Sequence, residues 1–188
     1  MAEMSRRAAT FADVGMIHRE LMDLIDSMPF YGDAFKAHEK ARLDKTFLRT
    51  LITIDPWHVM ILEMDGVPGG FLISGPECGT VFQFWSCIFP AFRRSSLGMY
   101  GMRAFVEHFD NHRFHKASTF VRPENKVALA LLKRYGYEQV AFLENHIFGE
   151  DYCVMERKFT KAVEGYDRGL AVPFAARMKL RLMGLGGR

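Results

Sequence analysis

The sequence predicts an α/β fold: a mixed, mostly antiparallel twisted sheet with helices on both faces, followed by a C-terminal amphipathic helix. Three observations carry this expectation. Short apolar runs in the first half are bounded by hairpin-turn signals. The spacing changes from period two to helical at two places in the second half. Beyond Thr160 a basic segment carries an amphipathic pattern of its own. A chain of 188 residues suits one domain, which buries roughly 70% of its unfolded surface.

Taken in order, residues 6–10 read as a short strand. Thr10 and Asp13 stand three apart, as in a capping box with an acid in the last place. Val14, Ile17, Leu21, Leu24, Ile25 and Met28 then follow at helical spacing, and Pro29 ends the helix. A second helix is expected from about Asp33 to Thr53, with Leu43, Phe47, Leu48 and Leu51 as its stripe. Strands follow at Trp57–Met64, Gly70–Ser74 and Thr80–Phe89, with Asp65-Gly66 and Pro76–Gly79 as turns. Met102, Phe105, Val106 and Phe109 define the next helix, from Leu97. A strand at Lys116–Val121, a helix at Asn125–Tyr135 and two strands at Gln139–Ile147 and Tyr152–Phe159 complete the body. Hairpins followed by helical crossovers imply a mixed sheet covered on both faces.

We expect two units: a body at 1–160 and a basic extension at 161–188. The chain has 25 basic and 22 acidic residues, of which six and two lie in Lys161–Arg188. The rest, 19 basic and 20 acidic, is neutral, which argues against a nucleic-acid-binding face. In the extension, Phe174, Met178, Leu182 and Leu185 share one helical stripe flanked by Arg177, Lys179 and Arg181. Such a short helix is marginal alone. It is expected to dock on the body or on a second copy, with a membrane surface as the alternative.

Cys78, Cys87 and Cys153 form no CxxC pair, so neither a disulfide framework nor a zinc knuckle is expected. The expected compartment is the reducing cytoplasm. Nothing approaches the ~18 apolar residues of a membrane span, and Met1–Arg7 is polar, unlike a signal peptide. His108, His112 and His115 stand at i, i+4 and i+7. With no cysteine nearby, a solvated helix end is the expectation there and a metal site is not.

The chemistry concentrates at Ile88-Phe89-Pro90-Ala91-Phe92-Arg93-Arg94-Ser95-Ser96-Leu97-Gly98. A strand–loop–helix junction aims backbone N–H groups at one spot, and the helix dipole and two arginines add positive charge. That suits a pyrophosphate; a surface loop with solvated arginines is the plainer reading. The second segment is Arg122-Pro123-Glu124-Asn125, with Ala128, Leu131, Gly136 and Tyr137 at fixed offsets.

Together these residues resemble the GCN5-related N-acetyltransferase (GNAT) superfamily. Arg93, Ser96 and Gly98 fill its Arg/Gln-x-x-Gly-x-Gly/Ala signature, with serine replacing the first glycine. Asn125, Ala128, Gly136 and Tyr137 match its second, and Arg7-x-Ala9-Thr10-x-x-Asp13 resembles its opening. The resemblance implies acetyl-CoA as acyl donor and an amine of a small molecule or protein as acceptor, with no metal. It implies a slot between the fourth and fifth strands, bordered by Ile88 and Phe89. It places the pyrophosphate on Arg93, Arg94, Ser95, Ser96, Leu97 and Gly98, with Asn125 beside the cofactor. It also makes the Phe30–Asp33 loop a wall of the acceptor site.

Two of the family's roles are unfilled. Leu132 stands where many members carry an acidic tyrosine, and the Thr80–Phe89 strand has no glutamate for a base. Gln83, Ser86, Tyr137 and His146 are the remaining catalytic candidates, with a structural or surface role the favoured reading of His146. Phe82, Phe84, Trp57 and Trp85 read as core. The departures leave a second reading open, a non-catalytic acyl-CoA-binding or structural protein that keeps the fold.

Overall fold

The structure is a computed structural model and describes residues 2–162 and 174–184. Seven strands form one sheet: β1 (Met4–Ala8), β2 (Val59–Met64), β3 (Val67–Glu77), β4 (Thr80–Ile88), β5 (Lys116–Val121), β6 (Glu138–Ile147) and β7 (Glu150–Lys158). Their spatial order is β1-β2-β3-β4-β5-β7-β6, and all neighbours run antiparallel except β4 and β5. The helices are α1 (Val14–Ser27), α2 (Asp33–Arg42), α3 (Lys45–Ile54), α4 (Leu97–Phe109), α5 (Lys126–Arg134) and α6 (Phe174–Leu182).

Alternation along the central strands explains the layering, because successive side chains of a strand point to opposite faces. Ile61 and Phe71 join Ile17, Leu21, Ile25 and Leu48 in a core beneath α1 and α3. Their neighbours Leu62 and Leu72 join Phe105, Phe109, Phe114 and Met155 in a second core beneath α4. Burying each such side chain stabilises the fold by about 1.5–3 kcal/mol. A sheet apolar on both faces needs cover on both, and the chain supplies it.

The expected helix over 33–53 is two helices. Leu43 leaves helical geometry (φ −93°, ψ 44°), and Asp44 restarts the chain by accepting the Phe47 N–H at 2.7 Å. The apolar stripe runs through the break, so periodicity alone conceals it; the capping aspartate was the signal. Likewise Pro56–His58 is a 3-10 turn capped by Asp55, so β2 begins at Val59 rather than Trp57. β1 begins two residues earlier than expected because its register runs from Met4 against Met64 to Ala8 against Met60.

The extension forms α6, whose end approaches α3 where the Thr53 hydroxyl lies 4.0 Å from the Met183 sulfur. Of its expected stripe, Met178 is 40% and Leu182 83% exposed. Leu185 lies outside the described residues, and the Phe174 side chain is likewise not described.

The N-terminal motif is structural. Arg7 donates to both oxygens of Asp13 at 2.9 Å and to Glu63 at 2.8 Å, tying β1 to α1 and β2. Asp13 also accepts the Thr10 N–H at 2.7 Å. The Arg7 hydrogen bonds bring the Asp13 carboxyl from its usual 3.8 to about 2. A carboxyl whose folded pKa is depressed contributes stability that is complete above its unfolded pKa and lost as pH falls through the folded one. Urea denaturation should therefore show stability falling between about pH 4 and 2 in the wild type. In Asp13→Asn that fall should be reduced and stability at pH 7 lowered.

Candidate active site

The sheet opens between β4 and β5. Their parallel pairing covers only Thr80–Phe82 against Lys116–Ser118. One further tie follows, the Thr119 hydroxyl donating to the Gln83 carbonyl at 2.9 Å. At the same level β4 bulges against β3: Trp85 pairs with Ile73 and Gln83 with Ser74, leaving Phe84 as the extra residue. A bulge bends its strand and increases the local twist. Beyond it β4 has a strand neighbour on one side only, and its other edge carries unpaired backbone groups.

A slot of about 140 Å³ occupies this opening. It is bordered by Gln83–Ser86 of β4, Thr119–Val121 of β5, and Asn125, Ala128, Leu131 and Leu132 at α5. A second cavity of about 440 Å³ lies against α2 and the β6–β7 end of the sheet. The two share Tyr31, Gln83, Phe84, Trp85, Thr119 and Phe120, so they meet across the opening.

The loop leaving β4 reaches α4 through a 3-10 turn at Pro90–Phe92. Within it, Phe92 N–H bonds to Phe89 O, Ser95 N–H to Phe92 O, and Leu97 N–H to the Ser95 hydroxyl. Among the described residues no acceptor faces the amides of Arg94, Ser96, Gly98 and Met99. Gly98 and Met99 are first-turn amides, whose partners in an α-helix must come from outside it. Arg93 and Arg94 are exposed and make no ion pair among the described residues. The loop is thus a cradle of donors and positive charge, the arrangement that receives a phosphate.

Glycines set its position. A Cβ on Gly70 would sit 2.5 Å from the Cys87 carbonyl oxygen, and one on Gly101 would collide with Leu62. Gly98 differs, since its Cβ would meet Ile88 at an ordinary 3.5 Å. Neither backbone angle nor protein contact requires glycine there; close approach of a ligand would.

The expected cofactor residues separate into three groups. Arg94, Ser96 and Gly98 present amides, while the Ser95 hydroxyl and the Leu97 amide satisfy each other at 3.2 Å. Ile88 packs on Gly98, and Phe89 gives its N–H to Gly69 at 2.9 Å, so both lie at the strand exit rather than in the slot wall. Asn125 borders the slot and caps α5, its Oδ1 accepting the Ala128 N–H at 3.1 Å. Its amide NH₂ is the group it can offer a ligand.

Of the catalytic candidates, Gln83 and Ser86 line the slot. Gln83 is buried, its Nε2 lies 3.7 Å from the Met102 sulfur, and its Oε1 has no partner. His146 is exposed, with its ring edge-on to Phe120 at 5.8 Å between centroids. Tyr137 does not belong to the site. Gly136 (φ +77°) ends α5 in a Schellman turn, in which the Tyr137 N–H returns to Leu132 O at 3.1 Å. The residue after that glycine is normally apolar and packs inward, and Tyr137 is 2% exposed in the second core.

Phe82, Phe84 and Trp85, expected as core, form cavity wall. Sequence reasoning missed three further groups there. Glu39 of α2 is 5% exposed and accepts from Trp85 Nε1 at 2.7 Å and from Arg42 at 2.8 and 2.9 Å. Tyr152 is buried beside the Arg122 guanidinium, and burial pushes its pKa up to about 12. Tyr31, from the loop expected to wall the acceptor site, borders both cavities, and burial raises its pKa.

The three histidines do not converge: His108 stacks on Trp57 at 4.4 Å, His115 meets the Gly79 carbonyl at 2.7 Å, and His112 is exposed. Among the described residues no three metal-ligating side chains lie together, and no helix is long and apolar enough to cross a membrane. Cys87 is buried, which pushes its thiol up to about 12 and disfavours the thiolate.

The glycine contrast is testable by thermal unfolding. Gly70→Ala should destabilise by about 1–3 kcal/mol, the usual cost of overpacking. Gly98→Ala should leave the melting temperature unchanged or raise it, since alanine is the better helix former.

No protein-family model matches the chain, and no curated protein matches its sequence. Solved structures match its fold. The ribosomal-protein-S18-alanine N-acetyltransferase of Escherichia coli aligns over 87% of this chain and 98% of its own, at TM-score 0.60 and 16% identity. For yncA of Salmonella typhimurium, solved with its cofactor acetyl-CoA, the values are 86%, 96%, 0.64 and 17%. For a GNAT-family acetyltransferase of Streptococcus pneumoniae they are 84%, 99%, 0.64 and 15%. The chain therefore shares its fold with solved acetyltransferases, among them one of the GNAT family.

Proposed function

We propose that this chain is an N-acetyltransferase that uses acetyl-CoA as donor and an amine as acceptor. The observation that carries the reading is the opening between β4 and β5, which joins a narrow slot to a wider cavity beside a cradle of free amides. Donor and acceptor could enter such a passage from its two sides and meet inside the sheet, shielded from water. Acetyl-CoA would supply a thioester-activated acetyl group.

The residues present suit that donor. The amides of Arg94, Ser96, Gly98 and Met99 would hold its pyrophosphate, with Arg93 and Arg94 adding charge. The free edge of β4 beyond Phe84 would hold its pantetheine arm by strand-like hydrogen bonds. The unpartnered Gln83 Oε1 is an acceptor placed to receive a proton donor in the slot. Leu132 makes the α5 wall aliphatic, so no acid comes from that position. We assign the acid role to Tyr31, which borders both cavities and, like any tyrosine, carries its hydroxyl proton at neutral pH. Tyr31 is rooted for the task, its ring stacked on Phe35 at 4.3 Å and edge-on to Trp85 at 5.7 Å.

Calorimetry with acetyl-CoA tests the donor site. The wild type should bind, and Gly98→Glu should lose affinity about 100-fold or more with normal circular dichroism, because it places a carboxylate among donors meant for an anion. Thiol release tests the chemistry. Tyr31→Phe should lower kcat by about 10²-fold, the lower end for a general acid, with acetyl-CoA affinity unchanged. Binding without release, for every amine tried, would mark a non-catalytic acyl-CoA-binding protein.

A further inference from the structure

Given the transfer reading above, the wider cavity carries its own record of which amines it can take. Seven of its fifteen lining residues are aromatic, among the described residues. The rings meet edge to face, Tyr31 on Trp85 at 5.7 Å and Phe82 on Phe120 at 5.4 Å. A flat ring extends such an array better than an alkyl chain does. The cavity's volume, about 440 Å³, is that of a small-molecule site.

Charge narrows the choice. Glu39 is the buried carboxylate of the cavity, and both its oxygens are already engaged, by Arg42 and by Trp85 Nε1. Glu77, the other carboxylate on the wall, is exposed. A second ammonium group would therefore enter with no buried counter-charge, which is costly. Arg42 itself lies over the Phe84 ring at 5.1 Å, which adds a second partner to the guanidinium already held by Glu39.

The rim also limits size. His38 of α2 lies against Phe148 of the β6–β7 turn, with ring centroids 5.5 Å apart. This contact joins α2 to the β6–β7 turn at the edge of the cavity. We propose that the acceptor is a compact aromatic primary monoamine, taken whole into the cavity rather than presented as the end of a polypeptide.

The test uses the full chain with acetyl-CoA and six amines: 2-phenylethylamine, tryptamine, hexylamine, spermidine, lysine and an alanyl peptide. Thiol release gives kcat/KM, and calorimetry without acetyl-CoA gives amine affinity independently. The aromatic monoamines should lead the others by about tenfold or more in both. Preference for spermidine, lysine, the peptide or hexylamine would overturn the inference and leave the transfer reading intact. Aromatic preference in binding with no thiol release from any amine would uphold the inference and remove the transfer reading. Absence of aromatic-amine binding would overturn it outright. Phe120→Leu keeps the wall apolar but removes a ring, and should lower the 2-phenylethylamine to hexylamine ratio by about three- to tenfold. An unchanged ratio would count against the aromatic wall as the selector.

Discussion

A parallel pairing only three residues long, between β4 and β5, is the constraint on which the rest depends. A sheet normally continues until its backbone groups are paired, since each unpaired group away from water costs free energy. Here the Phe84 bulge turns β4 away while its hydrogen bonds to β3 continue through to Ile88. The consequence is a gap in the middle of the sheet, where an edge would otherwise be covered. Both chain segments leaving that gap run into helices, β4 into α4 and β5 into α5. Their N-termini therefore gather beside it. Close approach of the α4 side to the sheet then depends on small residues at 69, 70 and 101, where a side chain would strike Leu97, Cys87 or Leu62.

An opening through a sheet must also be braced, and the bracing is ionic. Arg122, only 7% exposed at its side chain, donates to Glu150 at 2.6 Å and to Glu124 at 3.2 Å, with its guanidinium 5.4 Å from the Tyr152 ring centroid. It joins the β5 exit to the start of β7 and fixes the approach to Asn125. Glu39 plays the corresponding part on the other wall, fastening α2 to Trp85 of β4. Arg122 and Glu39 are themselves buried and would be expensive unpaired, while their ionic partners Glu150, Glu124 and Arg42 reach solvent. The walls thus hold their spacing through directional contacts that an apolar wall would lack.

Legibility in the sequence followed the range of the interactions. The α4 cradle could be read because its parts are adjacent: strand, turn, arginines, serines and glycine lie within eleven residues. The layering could be read because period two and period 3.6 are local properties. The cavity could not. Its wall takes Tyr31 and Glu39 from one end of the chain, Trp85 from the middle and Tyr152 from near the other end. The absence of a glutamate on β4 was correctly seen, yet a glutamate reaches β4 from α2 through Trp85 Nε1, a contact across 46 positions. Tyr137 misled for the opposite reason. Its place in a family signature reflects the apolar residue that closes a Schellman turn, and the hydroxyl is incidental to that role.

Unpartnered polar atoms distinguish the two kinds of buried group. His58 has no exposed surface, its ring stacks on Phe109 at 5.4 Å and burial pushes its pKa down to about 4. Its Nδ1 meets the Ser74 hydroxyl at 3.1 Å, while Nε2 has no partner. The Tyr137 hydroxyl is likewise alone. Both sit among apolar core side chains, where no ligand can reach them, and their perturbed ionisation marks confinement rather than function. The Gln83 Oε1 is also unpartnered, but Gln83 borders both cavities. An unsatisfied buried polar group costs about 1–3 kcal/mol, and at Gln83 a bound molecule can return it. The cost carried by the fold there is therefore available as binding energy at the place where the two cavities meet.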